Sequence, residues 1–343
     1  MASKNYLQWL STETPTAWWH DSADPRELVQ GKVWGACGVT TNPVLASAAL
    51  KSGSDFWREL LAGIGGSFPA NEQAEAVMSV VVKNAAAAFE PVYRESDGQR
   101  GYVCAQVNPN LCSQEEPMLA MAMRFNSWAP NISVKLPATA AGMRVLEECA
   151  ARGMCVTSTV SFTVSQVLAA AEAYRRGRLR AQRAGIAPAP CFAVIMIGRI
   201  DDYLREVAAD SRLMVGEDDI RQAGLAITKR SYALFRERGY EAQLLVAALR
   251  GVHHMQGLCG GELVMSIHPG IQKLLIAPEI PRSFGIEDTV PEESLRRLRT
   301  VPEFIKAYEP DGLSEGQFIA FGLVQKTLSQ FSAGGWSLLE TNR

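Results

Sequence analysis

Short apolar runs rich in β-branched and small residues recur along the chain, separated by longer stretches in which apolar positions follow a helical spacing. Eight such runs stand out, at residues 17–21, 36–40, 101–107, 132–136, 154–159, 191–197, 243–248 and 262–267. Between them, residues 71–95, 140–152, 164–183 and 217–238 have the composition of helices, and the second and fourth of these run directly into Gly153 and Gly239. Strand and helix in alternation predict parallel pairing through right-handed crossovers. Eight strands is the number a closed (β/α)₈ barrel needs. A doubly wound open sheet has the same order, so the pattern alone admits both α/β architectures. Residues 289–343 hold no strand candidate; 292–298 and 317–331 read as helices, expected outside the strand core together with a short N-terminal helix at 6–10. The simplest organisation is one domain over residues 1–343, with its core at 15–288 and a helical extension at 289–343.

The composition fits a globular protein with a large core: 343 residues, 47% hydrophobic and 20% charged. A formal net charge of −2 gives no electrostatic case for a nucleic-acid partner, so any anionic ligand must be held by a few placed cations. Seven cysteines are scattered without a C-x-x-C pair, most of them in apolar runs, which predicts reduced thiols used as small core residues. The first residues, MASKNYLQWLSTETP, are too polar for a signal peptide, and no apolar run has the length of a membrane span. The expectation is a soluble cytoplasmic protein with no membrane partner.

Chemistry concentrates at one lysine. Residues 131–139 read NISVKLPAT, placing Lys135 alone inside an otherwise apolar strand that leads into a helix. An ammonium inside a barrel loses hydration, which favours the neutral amine, and a neutral amine can condense with a ketone to a Schiff base. The competing reading is a strand-end lysine whose stem is buried and whose charge reaches solvent or pairs with a carboxylate. Other features are blander. The basic run from Arg175 to Arg183 ends a helix and reads as a solvated C-terminal turn. His253 and His254 lack the i, i+4 spacing of helical zinc ligands, and no glycine-rich nucleotide loop or nucleophile triad is present.

Four motifs, in order, carry a family resemblance: WHDS at 19–22, GVTTNPVL at 38–45, ISVKLPATAAGMRVLEECAARG at 132–153 and GRID at 198–201. Over residues 17–275 the chain resembles the transaldolases. That resemblance implies a (β/α)₈ barrel with extra terminal helices and a metal-free, cofactor-free mechanism. In it Lys135 is the Schiff-base lysine, Asp21 the carboxylate that shuttles a proton at the substrate hydroxyl, and Thr159 the threonine that positions a catalytic water. Asn42, with Thr41 beside it, falls at the donor to substrate hydroxyls, and Arg199 and Arg250 fall on the two arginines that hold a substrate phosphate. Helix capping is the alternative for Asp21, Asn42 and Thr159, and a surface ion pair is the alternative for each arginine.

The chain also departs from the family. Gln106 stands where transaldolases carry a glutamate, and an amide exchanges no proton near neutral pH. The related fructose-phosphate aldolases have glutamine there with a tyrosine on the sixth strand, but this chain has Met196 at that place. Val194 and Ala248 replace two serines of the phosphate site, Thr157 replaces an asparagine, and His268 closes the eighth strand where the family has smaller residues. The resulting expectation is transfer of a three-carbon dihydroxyacetone unit from a ketose or ketose phosphate to an aldehyde. A stand-alone aldolase or a non-catalytic sugar-binding barrel are the alternatives. The family is often dimeric, so a homodimer is a further expectation.

Overall fold

In the computed structural model, which describes residues 4–64, 69–277 and 280–341, eight parallel strands close on themselves: β1 (Ala17–His20), β2 (Gly38–Val39), β3 (Tyr102–Gln106), β4 (Ile132–Pro137), β5 (Val156–Thr159), β6 (Cys191–Met196), β7 (Gln243–Ala247) and β8 (Val264–Ile267). Each pairs with its sequence neighbours, and β8 pairs with β1 over four residues, which closes the ring and removes both sheet edges. Closure selects the barrel over the open sheet that the periodicity left possible. All eight strands lie where the apolar runs predicted. The predicted helices also form, as Tyr6–Glu13, Ala70–Glu95, Ala140–Ala151, Val164–Arg183 and Glu217–Glu237.

The barrel interior is filled in layers. At the N-terminal end Trp19, Tyr102 and Phe192 meet edge to face, with ring centroids 4.5 Å apart for Trp19 and Phe192 and 6.2 Å for Tyr102 and Phe192. They come from β1, β3 and β6, which are not neighbours, so the rings must cross the interior and plug it. Gly38 makes room for this plug, since a Cβ there would stand 2.5 Å from Trp19. One layer up, Ser133 and Thr157 share a 2.7 Å hydroxyl contact and Cys104 donates to Thr157 at 3.7 Å. Two residues further along the same strands, on the same face by the period of two, come Gln106, Lys135 and Thr159. All seven cysteines are free thiols, six of them buried.

The strand that carries Lys135 is held from behind by a close turn. The helix Ala140–Ala151 starts on Thr139, whose hydroxyl accepts from Gly142 N at 3.1 Å. A Cβ at Gly142 would lie 1.8 Å from the Pro137 carbonyl oxygen. Gly142→Ala is therefore expected to cost about 1–3 kcal/mol through backbone displacement, seen as a lower urea midpoint at unchanged slope; an unshifted midpoint would show that the β4 end yields freely.

The C-terminal segment differs from expectation in one respect and adds a contact that the sequence did not announce. The helix predicted at 317–331 is broken in two, Glu315–Phe318 and Gly322–Phe331, the second starting at Gly322 with a turn between them. It also does not stay away from the site. Gln330 and Phe331, at the end of Gly322–Phe331, reach the C-terminal mouth of the barrel. The basic run closing Val164–Arg183 is a surface network as predicted, with Arg176, Arg178 and Arg180 paired to Glu147, Glu241 and Glu148.

Candidate active site

A cavity of about 440 Å³ opens at the C-terminal end of the strands, the end at which barrels of this kind assemble their chemistry. Asp21, Asn42, Lys135, Arg199 and Arg250 all line it. Thr41, Gln106, Thr157 and Thr159 do not line it; they stand in the surrounding wall, each 0–2% exposed.

Lys135 is 5% exposed. Its Nζ donates to the Thr41 carbonyl oxygen at 3.2 Å, and among the described residues no carboxylate forms an ion pair with it. It does not reach out to bulk water, which removes the reading of a snorkelling surface lysine. In register, Gln106 on β3 and Thr157 on β5 lie opposite Lys135, and Thr159 lies opposite Pro137. The Gln106 Oε1 and Thr159 Oγ1 atoms are buried without a hydrogen-bond partner among the described residues. Such orphaned polar atoms cost about 1–3 kcal/mol each, so both strands flanking the lysine carry an unmet polar valence. The Thr41 hydroxyl donates to the Cys104 carbonyl at 2.6 Å, and Thr157 is engaged with Ser133. These two threonines hold the walls in place.

Asp21 follows β1 directly. The capping alternative falls to a neighbour: Asp24 is the N-cap of Pro25–Val33, accepting from Arg26 N at 2.9 Å, and the Arg26 guanidinium with the Ser52 hydroxyl holds its carboxyl down to about 2. Asp21 is left for the cavity. Its Oδ1 accepts from the Thr40 hydroxyl at 2.6 Å, and Thr40 sits 2.5 Å from the Ser266 hydroxyl. Because the Thr40 proton goes to Asp21, Ser266 donates to Thr40, and the relay aims one carboxylate oxygen. Thr40 and Ser266 were not singled out by the sequence; their inward position, just past β2 and on β8, is the signal that finds them. Asn42 does cap a helix, its Oδ1 accepting from Leu45 N at 3.0 Å at the start of Pro43–Ser52, and the residue also lines the cavity. Thr159 caps nothing, since Thr163 is the N-cap of Val164–Arg183.

The arginines enter the cavity from beyond β6 and β7. Arg199 lies in the first turn of Ile197–Asp210, donates to Gln330 Oε1 at 2.5 Å and stands 5.4 Å over the Phe331 ring. Burial, and then the charge of Arg250, press its pKa down; a guanidinium so placed keeps its proton and seeks an anion. Arg250 bonds one oxygen of Asp202 through Nε at 2.9 Å and Nη2 at 2.8 Å, and reaches the Ala248 carbonyl through Nη1 at 2.9 Å. Ala248, at φ 59°, turns the chain back after β7 so that this is possible, a conformation that costs about 1–2 kcal/mol in a residue with a Cβ. Behind it His254 accepts from Arg250 N at 3.2 Å and contacts Asp201 at 2.9 Å, and Asp201 in turn accepts from Gly224 N at 2.8 Å. Asp201 and His254 thus form a buried tie that fixes the loop bearing Arg250. Val194 and Ala248 bring no hydroxyl to this wall.

A closed ring of eight parallel strands, with a lysine, an aimed carboxylate and two arginines lining one cavity at its C-terminal end, places the chain in the class of (β/α)₈ barrels. Within that class, residues 18–331 match the family model described as transaldolase/fructose-6-phosphate aldolase, and the chain belongs to that family. It is similar to Transaldolase 1 of Streptomyces avermitilis, 29% identical over 84% of this chain and 78% of that protein. It is also similar to Transaldolase 2 of Nostoc sp., 28% identical over 62% of this chain, and to a transaldolase of Mycobacterium bovis, 30% identical over 63%. The last two alignments span 56% and 58% of those relatives, less than two thirds of their length. No helix among the described residues is long and apolar enough to cross a membrane.

Proposed function

We propose that this chain is a transaldolase-type enzyme acting through a Schiff base on Lys135. The observation that carries the reading is a buried lysine amine, free of any ion pair among the described residues, sharing one cavity with Asp21. The amine adds to the C2 carbonyl of a ketose, and loss of water gives an iminium. Asp21 takes the proton of the C4 hydroxyl, the bond between C3 and C4 breaks, and an aldehyde leaves while the electron pair passes into the enamine. The enamine carbon then attacks an acceptor aldehyde, Asp21 returns the proton to the new hydroxyl, and hydrolysis frees Lys135. The iminium nitrogen is itself the electron sink, so the scheme calls for no metal and no cofactor. Gln106 Oε1 and Thr159 Oγ1 suit the water exchanged in forming and hydrolysing the iminium, with Gln106 accepting a hydrogen bond and not relaying a proton. Asn42 and the Thr41 carbonyl belong to the dihydroxyacetone side, Arg199 and Arg250 to the terminal group.

The test is borohydride reduction in the presence of dihydroxyacetone or fructose 6-phosphate, followed by peptide mass mapping. A three-carbon adduct on the peptide bearing Lys135 is the expected result, and its absence with both would favour a barrel that binds without turnover. A second reading, the stand-alone aldolase, is favoured by Gln106 and opposed by Met196 lining the cavity. Release of free dihydroxyacetone from the ketose without an acceptor distinguishes it. Arg199→Ala is expected to raise KM for a phosphorylated ketose roughly 10- to 100-fold with kcat little changed, the scale of one lost charge-assisted pair. An equal change for the unphosphorylated sugar would detach Arg199 from anion binding.

A further inference from the structure

We infer that His268 determines specificity for the aldehyde half of the substrate, by donating a hydrogen bond from Nε2 to an oxygen beyond the bond that breaks; the inference rests on the Schiff-base reading.

His268 is the first residue after β8 and lines the cavity. β8 pairs with β7 and β1, so His268 stands in the ring between Asp21, just past β1, and Arg250, just past β7. In a ring of eight strands β8 is four positions from β4, which sets His268 across the mouth from Lys135. A ketose joined at C2 to Lys135 and presenting its terminal group to Arg199 and Arg250 must run across the cavity toward this side. The atoms that arrive beside His268 are those past the C3–C4 bond.

The ring's hydrogen-bonding state follows from its backbone contact. His268 is the N-cap of Pro269–Leu275, and its Nδ1 accepts from Gly270 N at 3.1 Å. An Nδ1 that accepts carries no proton, which puts the neutral imidazole's proton on Nε2. No described residue bonds that nitrogen. Capping alone is done better by Ser, Thr, Asp or Asn; the imidazole adds a second polar atom beyond the cap, on a wall where Val194 and Ala248 supply no hydroxyl. Among the described residues on that side, the donors are the two arginines and this nitrogen, since the Ser266 hydroxyl is given to Thr40.

Two substitutions separate the cap from the donor. His268→Asn keeps an oxygen at the Nδ1 place to cap Gly270 and removes the outer nitrogen, whereas His268→Gln puts an amide nitrogen near the Nε2 place and gives up the cap. The readout is the half-saturating concentration for borohydride-trapped adduct on Lys135, with fructose 6-phosphate, which has an aldehyde half, and with dihydroxyacetone, which lacks one. For His268→Asn the expected result is a rise of roughly tenfold for fructose 6-phosphate, the scale of one hydrogen bond, with no change for dihydroxyacetone; His268→Gln should recover part of it. Equal half-saturation by wild type and His268→Asn for fructose 6-phosphate, or an equal rise for both sugars, would overturn the inference. Absence of any adduct in the wild type would instead overturn the Schiff-base reading, and this inference with it.

Discussion

Lys135→Met is expected to abolish sugar transfer and the borohydride adduct while leaving the barrel folded. The magnitudes separate these two effects. In the fold the amine makes a single hydrogen bond, to the Thr41 carbonyl, and no ion pair among the described residues. Losing that bond costs on the order of 0.5–1.5 kcal/mol, and the methionine side chain refills most of the space left by the lysine stem. The chemistry has no such substitute. Removing the covalent nucleophile of an enzyme lowers kcat on the order of 10⁴-fold or more, and among the described residues nothing else lining the cavity offers a primary amine, since its other cations are guanidinium groups. The measurement is kcat together with peptide mapping after reduction, with the thermal midpoint as control. An adduct that persists on another lysine, or a loss of less than tenfold, would move the nucleophile elsewhere.

The fold was legible because burial leaves a periodic trace. All eight strands were visible as apolar runs, even β2, which pairs over only Gly38 and Val39, because the flanking Cys37 and Thr40 are buried as well. Closure was not legible from period alone, since it depends on β8 meeting β1 across almost the whole chain. At the mouth, Lys135 could be named as a lone cation inside an apolar strand, and Asp21, Asn42 and the two arginines by their places just past strand ends. The approach of Gln330 and Phe331 to Arg199 could not, because a helix that packs along one side and touches the mouth with its last turn has the same spacing as one that does not. The Asp202 partner of Arg250 was equally hidden: the two are joined by the left-handed turn at Ala248, and nothing in the letters requires an alanine to adopt it. Residue type likewise did not separate Thr41 and Thr157 from Thr159. The first two spend their hydroxyls on the wall, and only the third keeps an unmet one.

Asp21→Asn should split the reaction in two. The asparagine retains an oxygen to accept from Thr40, the bond that orients Asp21 at 2.6 Å, so the side chain stays aimed and the cavity keeps its shape. What it loses is the ability to take up and return a proton. Cleavage and transfer should therefore fall about 10²- to 10⁴-fold, the range for removal of a positioned general base. Condensation of Lys135 with dihydroxyacetone needs no proton from a C4 hydroxyl, and the reduced adduct should form as in the wild type. A ketose should then accumulate as an uncleaved adduct, heavier than the three-carbon one by the mass of its aldehyde half, which a single mass spectrum resolves. A wild-type cleavage rate would assign the base elsewhere in the mouth. Loss of the dihydroxyacetone adduct would instead mean that Asp21 serves the carbonyl end, and the two halves of the cavity would have to be exchanged.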